Sequence, residues 1–231
     1  MLKTIRRVQP LIDRLAAILA LDRLELGVAF VLVFAYLSGA QAHLLPAVYP
    51  VTQVTTDPLL LVICLPLLYL LYRRHGDRRL WWWAAATYVG TFFIEAAGVA
   101  TGAIFGAYHY GATMWAQWLG VPLVIALNWS LLILATNDLA GRFFRQPFVI
   151  ALVASVLIIA YDFCIEPVAI TLDYWQWEAG EIPVQNYLAW GIVALLFSLP
   201  LQYLRIRFQH NLLLIYAGAQ LVFFLLLNWL F

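Results

Sequence analysis

Lysine occurs once in this chain of 231 residues, at Lys3. No hydrophobic segment can therefore carry a Schiff-base lysine, which excludes a retinal photoreceptor. Histidine occurs four times, at His43, His75, His109 and His210. These are dispersed along the chain, whereas a membrane di-iron oxygenase needs a histidine cluster on one side. His109, between Tyr108 and Tyr110, reads as a loop hydrogen-bonder rather than a metal ligand. The two cysteines, Cys64 and Cys164, each lie in an apolar run and are expected to be buried inert thiols rather than a disulfide. No Gly-rich phosphate loop occurs. Asn137-Asp138 lacks the further aspartates with which a prenyltransferase holds diphosphate through magnesium. No metal and no cofactor is expected. Charged residues make up 11% of the chain, against about 25% in an average soluble domain. With a net charge of +1, no polybasic surface is left for nucleic acid.

What the chain has instead is long hydrophobic runs. They divide into seven spans, at about Leu24–Leu45, Pro58–Tyr72, Leu80–Ala103, Leu119–Asp138, Pro147–Val168, Val184–Tyr203 and Asn211–Phe231. Pro66 should kink the second span. Every Lys and Arg then falls on one side. Lys3, Arg6, Arg7, Arg14 and Arg23 precede span 1. Arg73, Arg74, Arg78 and Arg79 lie between spans 2 and 3, Arg142 and Arg145 between 4 and 5, and Arg205 and Arg207 between 6 and 7. By the positive-inside rule the N-terminus is cytoplasmic and the C-terminus outside. The fold class is all-α, a polytopic helix bundle in the cell (inner) membrane. Residues 1–22 are expected to form a basic amphipathic helix at the cytoplasmic surface, not a signal peptide, with Ile5, Leu11, Ile12, Leu15, Ile18 and Leu19 on its apolar face. Residues 23–231 form a single bundle without internal repeats. Trp81, Trp82 and Trp83 read as an aromatic anchor at the inner interface.

The three outer connections read as long, aromatic and acidic. The first holds His43, Tyr49 and Asp57. The second runs from Gly102 to Gly111 and carries Tyr108 and Tyr110. The third runs from Leu172 to Glu181 and carries Trp175 and Trp177. Such loops either fold over a site or pad the headgroup region. Beneath them lie the costly intramembrane groups: Glu95 in span 3, Asp162 and Glu166 one turn apart in span 5, Asn128 in span 4 and Asn186 at the start of span 6. One polar layer, in the outer half of the bilayer, is expected from these residues. Hydrogen-bonding between helices would explain a single Asn. Three carboxyls in one layer fit that poorly, because neighbouring carboxylates in low dielectric repel and at least one stays protonated. Gly98-x-x-x-Gly102 and Gly102-x-x-x-Gly106 permit close helix packing, or a groove along which Glu95 looks. The remaining inventory is carboxylic acid chemistry beside aromatic faces. A neutral carboxylic acid in an apolar pocket can protonate an electron-rich alkene, aromatic faces stabilise the cation, and water captures it.

Two segments carry a family resemblance. One runs from Phe93 through Glu95, Gly98, Thr101, Gly102, Phe105, Gly106, Tyr108 and Tyr110 to Leu119-Gly-Val-Pro122 and Asn128-Trp129. The other runs from Tyr161-Asp162 through Glu166-Pro167, Trp175, Trp177, Ile182-Pro183 and Asn186 to Trp190. Together, over roughly residues 85–195, they resemble the multi-pass carotenoid-biosynthesis membrane proteins that include the CruF-type carotenoid 1,2-hydratases. The pattern departs at Ile182, where the family has Gly before the Pro, and at Glu166, where Asp is usual. The resemblance implies a lyase that adds water across the terminal 1,2 (1′,2′) double bond of an acyclic carotenoid without a cofactor. It assigns Asp162, Glu95 and Glu166 as the acids. Asp162 is expected to be the proton donor, and Glu95 and Glu166 to orient water or take its proton. Asn128, Asn186, Trp129, Tyr108, Tyr110, Trp175 and Trp177 are the expected substrate-binding groups. The partners are the carotenoid, water and the lipid bilayer. Two other classes remain: an isoprenoid-binding protein without chemistry, which leaves the acid layer an unexplained cost, and a proton-coupled transporter, for which paired broken helices are lacking.

Overall fold

The computed structural model describes residues 2–206 and 208–231, with side chains from residue 9 onward. Arg207 and the side chains of Lys3, Ile5, Arg6 and Arg7 lie outside the described residues. In chain order the helices are α1 (Leu2–Leu19), α2 (Arg23–Leu44), α3 (Tyr49–His75), α4 (Arg78–Thr101), α5 (Leu123–Phe143), α6 (Pro147–Thr171), α7 (Val184–Tyr203) and α8 (Asn211–Leu230). Four short strands interrupt them: β1 (Tyr108–Tyr110), β2 (Gln117–Trp118), β3 (Val121–Pro122) and β4 (Trp175–Trp177). Seven helices, α2 to α8, are long and apolar enough to cross a membrane, so the protein is a multi-pass bundle. On α1, Leu11, Ile12, Leu15 and Ile18 are exposed.

Helix α5 is the central one. Its run Trp129–Asp138 is buried without a break, as a helix apolar on all sides must be. Helices α4, α6 and α8 pack around it, α7 lies on α6, and α2 lies along α8. One end of the bundle collects the described arginines of the inter-helix turns. Asp22 caps α2 through the Glu25 N–H and pairs with Arg73. The Glu25 N–H, and beyond it Arg73, hold the Asp22 carboxyl below its usual range. Glu25 itself takes Arg74 at 2.6 Å and His210 at 3.1 Å, and Arg142 bridges Asp138 (3.0 Å) and Asn211 (2.7 Å). These contacts tie α2, α3, α5 and α8 together at their basic end.

The opposite end holds the loops, and here the boundaries differ from expectation. The first connection is only residues 45–48, and His43, Tyr49 and Asp57 are helical. Pro50 sits in the first turn of α3, where a missing N–H costs nothing. The helix then continues through Pro58 and Pro66 as one element. Pro58 leaves the Val54 carbonyl without its helical donor, and the Trp115 indole N–H supplies one at 3.2 Å. Buried Asp57 accepts the Ala116 N–H at 2.7 Å. The early turns of α3 thus hold down the loop before α5. That helix starts at Leu123 rather than Leu119, because Leu119 (φ 52°) and Gly120 (φ 75°) form the tight turn between β2 and β3. Among the three tryptophans only Trp81 and Trp82 are exposed. Trp83 is buried and donates to the Phe197 carbonyl at 2.9 Å. Both cysteines are free.

The glycine series of α4 serves neither of its expected uses. A Cβ on Gly98 would meet the Phe105 ring at 2.6 Å, so the space belongs to the chain's own following loop. Gly102 (φ 64°) is the left-handed residue that ends the helix. Gly106 (φ 111°) carries the loop under Pro183, whose Cγ would lie 2.6 Å from an added Cβ. Gly106→Ala therefore combines backbone strain with a collision and should cost about 1–3 kcal/mol. Gly27→Ala, in open space within α2, should gain about 0.5–1 kcal/mol from helix propensity. Melting of the purified protein in detergent should move down for the first variant and up or not at all for the second. Equal melting temperatures for the two would refute the loop packing.

Candidate functional site

The site is built where two separate loops pair. β1 and β4 run antiparallel, with Tyr108 opposite Trp177, His109 opposite Gln176 and Tyr110 opposite Trp175. Successive strand residues point to opposite faces. The aromatic-polar-aromatic order of both segments therefore sends four rings to one face and leaves His109 exposed on the other. The rings interlock, with Tyr108 and Trp177 centroids 5.2 Å apart and Tyr110 and Trp175 6.2 Å apart. The inward face meets the carboxyls of α4 and α6.

Glu95 is buried and receives three donors. Trp129 Nε1–H reaches Oε1 at 2.8 Å, and the Tyr108 and Tyr110 hydroxyls reach Oε2 at 2.5 and 3.0 Å. Glu166 receives three as well. Trp175 Nε1–H and Trp177 Nε1–H both reach Oε2 at 3.0 Å, and Asn186 Nδ2 reaches Oε1 at 2.9 Å. The same Asn186 amide donates to Asp162 Oδ2 at 2.8 Å. Asp162 Oδ1 is buried without a partner. Among the described residues no Lys, Arg or His forms an ion pair with any of these carboxyls. Indole N–H groups only donate. Burial, and then the neighbouring Glu95, push the Tyr108 and Tyr110 phenols well above their usual range, so both remain O–H donors.

A cavity of about 450 Å³ lies against this cluster. Glu95, Glu166, Asn128 and Asn186 reach its wall, with Trp129, Tyr108, Tyr110, Trp175, Trp177 and Trp190 around them. Trp129 and Trp190 lie against each other, with ring centroids 4.1 Å apart and planes tilted by 32°. Nine of the ten expected site residues thus line one space. Asp162, fully buried, lies behind Asn186 and Glu166 and does not line it. Direct contact between Asp162 and a substrate is not what this geometry provides. Glu166, one helical turn further on, stands at the cavity wall instead. Among the described residues Asn128 makes no hydrogen bond to the carboxyls; its Oδ1 accepts the Tyr216 hydroxyl of α8.

The sequence reading passed over the wall that α2 and α8 contribute. Tyr36 and Gln220 line the cavity, and Gln220 Nε2 donates to the Tyr36 hydroxyl at 3.0 Å while its Oε1 accepts from Tyr161 at 2.7 Å. Gln220 is a polar residue midway along an apolar span, and an amide there is as much a signal as a carboxyl. Among the described residues no group of three His, Cys, Asp or Glu side chains gathers as a metal-ligand set. The site can donate and accept protons, surround a cation with aromatic faces, and enclose an apolar end group.

Comparison with known proteins agrees with this chemistry. Bisanhydrobacterioruberin hydratase of Haloarcula japonica is 29% identical over 136 residues, covering 52% of this chain and 45% of the relative. The match thus spans less than half the length of that relative. No solved structure matches the chain. The family model described as carotenoid biosynthesis protein matches residues 56–231, a stretch that contains all three carboxyls and both paired strands. On that match the chain belongs to the carotenoid biosynthesis protein family.

Proposed function

We propose that this protein is a carotenoid hydratase. It adds water across the terminal 1,2 double bond of an acyclic carotenoid end group, without a cofactor. The observation that carries this proposal is the pair of carboxyls, Glu95 and Glu166, each held by three neutral donors at the wall of one aromatic cavity. The related hydratase supports the reaction class. Hydration of an alkene involves no net redox change and needs one acid, one base and a place for a cation.

The acid side is the Asp162–Glu166 pair. Asn186 Nδ2 donates to both carboxyls, and two neighbouring carboxyls in low dielectric keep at least one proton between them. Glu166 in its protonated form gives its proton to C2 of the end group, and a C–H bond forms as the O–H bond breaks. The positive charge left on the tertiary C1 is stabilised by the ring faces that line the cavity. Water then adds to C1, and Glu95 takes the proton that the water loses. Return of one proton from Glu95 to the acid pair resets the site. Asp162 acts through Asn186 and Glu166, as a positioning residue rather than one that meets the substrate. Tyr108 and Tyr110 hold Glu95 in place.

The basic end is proposed to face the cytoplasm, which puts the site in the outer half of the bilayer. A periplasmic reporter enzyme fused after Phe231 should then be active. The same reporter placed after Arg145 should be silent, and the reverse pattern would invert the orientation.

Expressed in cells that accumulate lycopene or another acyclic carotenoid, the protein should produce a pigment heavier by one water. Unchanged pigment beside correctly inserted protein would sink the hydratase. Glu166→Gln and Glu95→Gln should each lose roughly 100-fold or more in rate, as loss of a general acid or base does. Asp162→Asn should lose less and should shift the pH–rate profile. A loss as deep as that of Glu166→Gln, with no change in profile, would return the donor role to Asp162.

A further inference from the structure

The cavity does not end at the carboxyls. From them it runs past Tyr36 and Gln220 and continues between α2 and α3. Along α2 it is bordered by Val31, Ala35, Ser38 and Ala42, spaced three and four residues apart and thus on one face. Along α3 it is bordered by Val51, Thr55 and Leu59, four apart. At 1.5 Å per residue the opening follows α2 for about 16 Å. Its rims are not enclosed, for Val31 is 60% exposed, Phe34 62% and Val51 53%. All three belong to helices long and apolar enough to cross a membrane, whose exposed apolar side chains are suited to lipid. Helix α2 packs mainly along α8, where Tyr36 meets Tyr216, Phe223 and Gln220, and its looser contact with α3 leaves room for a slot.

We infer that the slot between α2 and α3 is the lateral entry and binding channel for the hydrocarbon chain of a polyene. The chain enters from the bilayer with one end group leading toward Glu95 and Glu166. This inference rests on the proposed function for the identity of its occupant. The chemistry of the wall fits that occupant: apolar side chains with threonines, Ser38 and His43 along the slot, and acids only at the inner end. The threonine hydroxyls do not interrupt this surface, since Thr52, Thr55 and Thr56 each donate to a backbone carbonyl within α3. An extended carotenoid is about as long as the ~30 Å hydrocarbon core, so its far portion stays in lipid while one end reacts. A substrate with two reactive ends must leave and re-enter reversed, and its singly hydrated form should accumulate before the doubly hydrated one. The α2 border, with Val51 and Thr55 of α3, precedes residues 56–231, whereas Leu59 and both acids fall within them.

The test is retained pigment per protein after purification from carotenoid-accumulating cells. Wild type should carry the acyclic polyene. Ala35→Trp, which fills the slot, should carry at least tenfold less. Val33→Trp adds the same bulk to an exposed position of α2 off the channel and should carry the wild-type amount. If Ala35→Trp fails to fold, Ala35→Cys can be purified first and then blocked by a bulky methanethiosulfonate. Polyene uptake should be lost on blocking and return on reduction, while wild type, with Cys64 and Cys164, is treated in parallel. Equal pigment in Ala35→Trp and wild type, unaltered uptake by blocked Ala35→Cys, or a wild type that holds no polyene would each overturn the channel. Retained polyene that never gains water would instead overturn the hydratase and leave the channel standing.

Discussion

Three carboxyls buried among membrane helices, with no ion-pair partner among the described residues, set the terms for the rest of this structure. An unpaired charge in such surroundings is costly. Here the compensation comes from neutral donors: two phenols, three indoles and one amide. Four of these six come from the loops, not the helices. The loops must therefore dock, and β1 must pair with β4 in one register, or Glu95 and Glu166 lose most of their partners. Features that look unrelated in sequence serve that docking. Gly106 lets the chain pass under Pro183, Asp57 and the carbonyl freed by Pro58 hold the loop before α5, and Gly102 ends α4 where the loop must begin.

The two ends of the bundle handle charge in opposite ways. At the basic end, acids meet arginines and a histidine, and Glu25, Asp138 and Asp22 are paired. Arg73–Asp22 is exposed and adds little stability alone, but Glu25 and Asp138 are buried, and their pairs fasten four helices together. At the loop end the acids meet donors that carry no charge. An arginine beside a carboxyl favours the anion, as Arg73 does for Asp22. A carboxyl held by tyrosine, tryptophan and asparagine can gain or lose a proton without leaving a fixed cation unbalanced. The division suits a scaffold at one end and proton chemistry at the other.

The cavity joins this chemistry to the bilayer. Its acid end lies under the paired strands and its open end between α2 and α3. The central helix α5, buried along Trp129–Asp138, gives the acid end a rigid back wall and places Trp129 against both Glu95 and Trp190. Rigid aromatic walls suit a cation that exists only briefly, since faces already in place need no rearrangement as charge develops. The looser α2–α3 side suits entry and exit.

The number of helices, the gathering of basic residues at one end and the chemical character of the site were all legible in the sequence. Apolar runs and charge asymmetry are local properties, and a carboxyl within an apolar run stands out without any neighbour. Most of the residues that line the cavity could be named from the two segments that carry the family resemblance. The start of α3 was missed because a proline was read as a boundary, although a distant indole satisfies the carbonyl it frees. The start of α5 was missed because Leu119 takes a left-handed turn that its residue type does not announce. What only tertiary structure decided is which acid meets the cavity and where the cavity opens. Asp162 and Glu166 share a helix and differ by one turn, and no periodicity says which of them α7 and β4 leave at the wall. The slot between α2 and α3 depends on how tightly two apolar faces pack, and that is a property of the pair rather than of either segment.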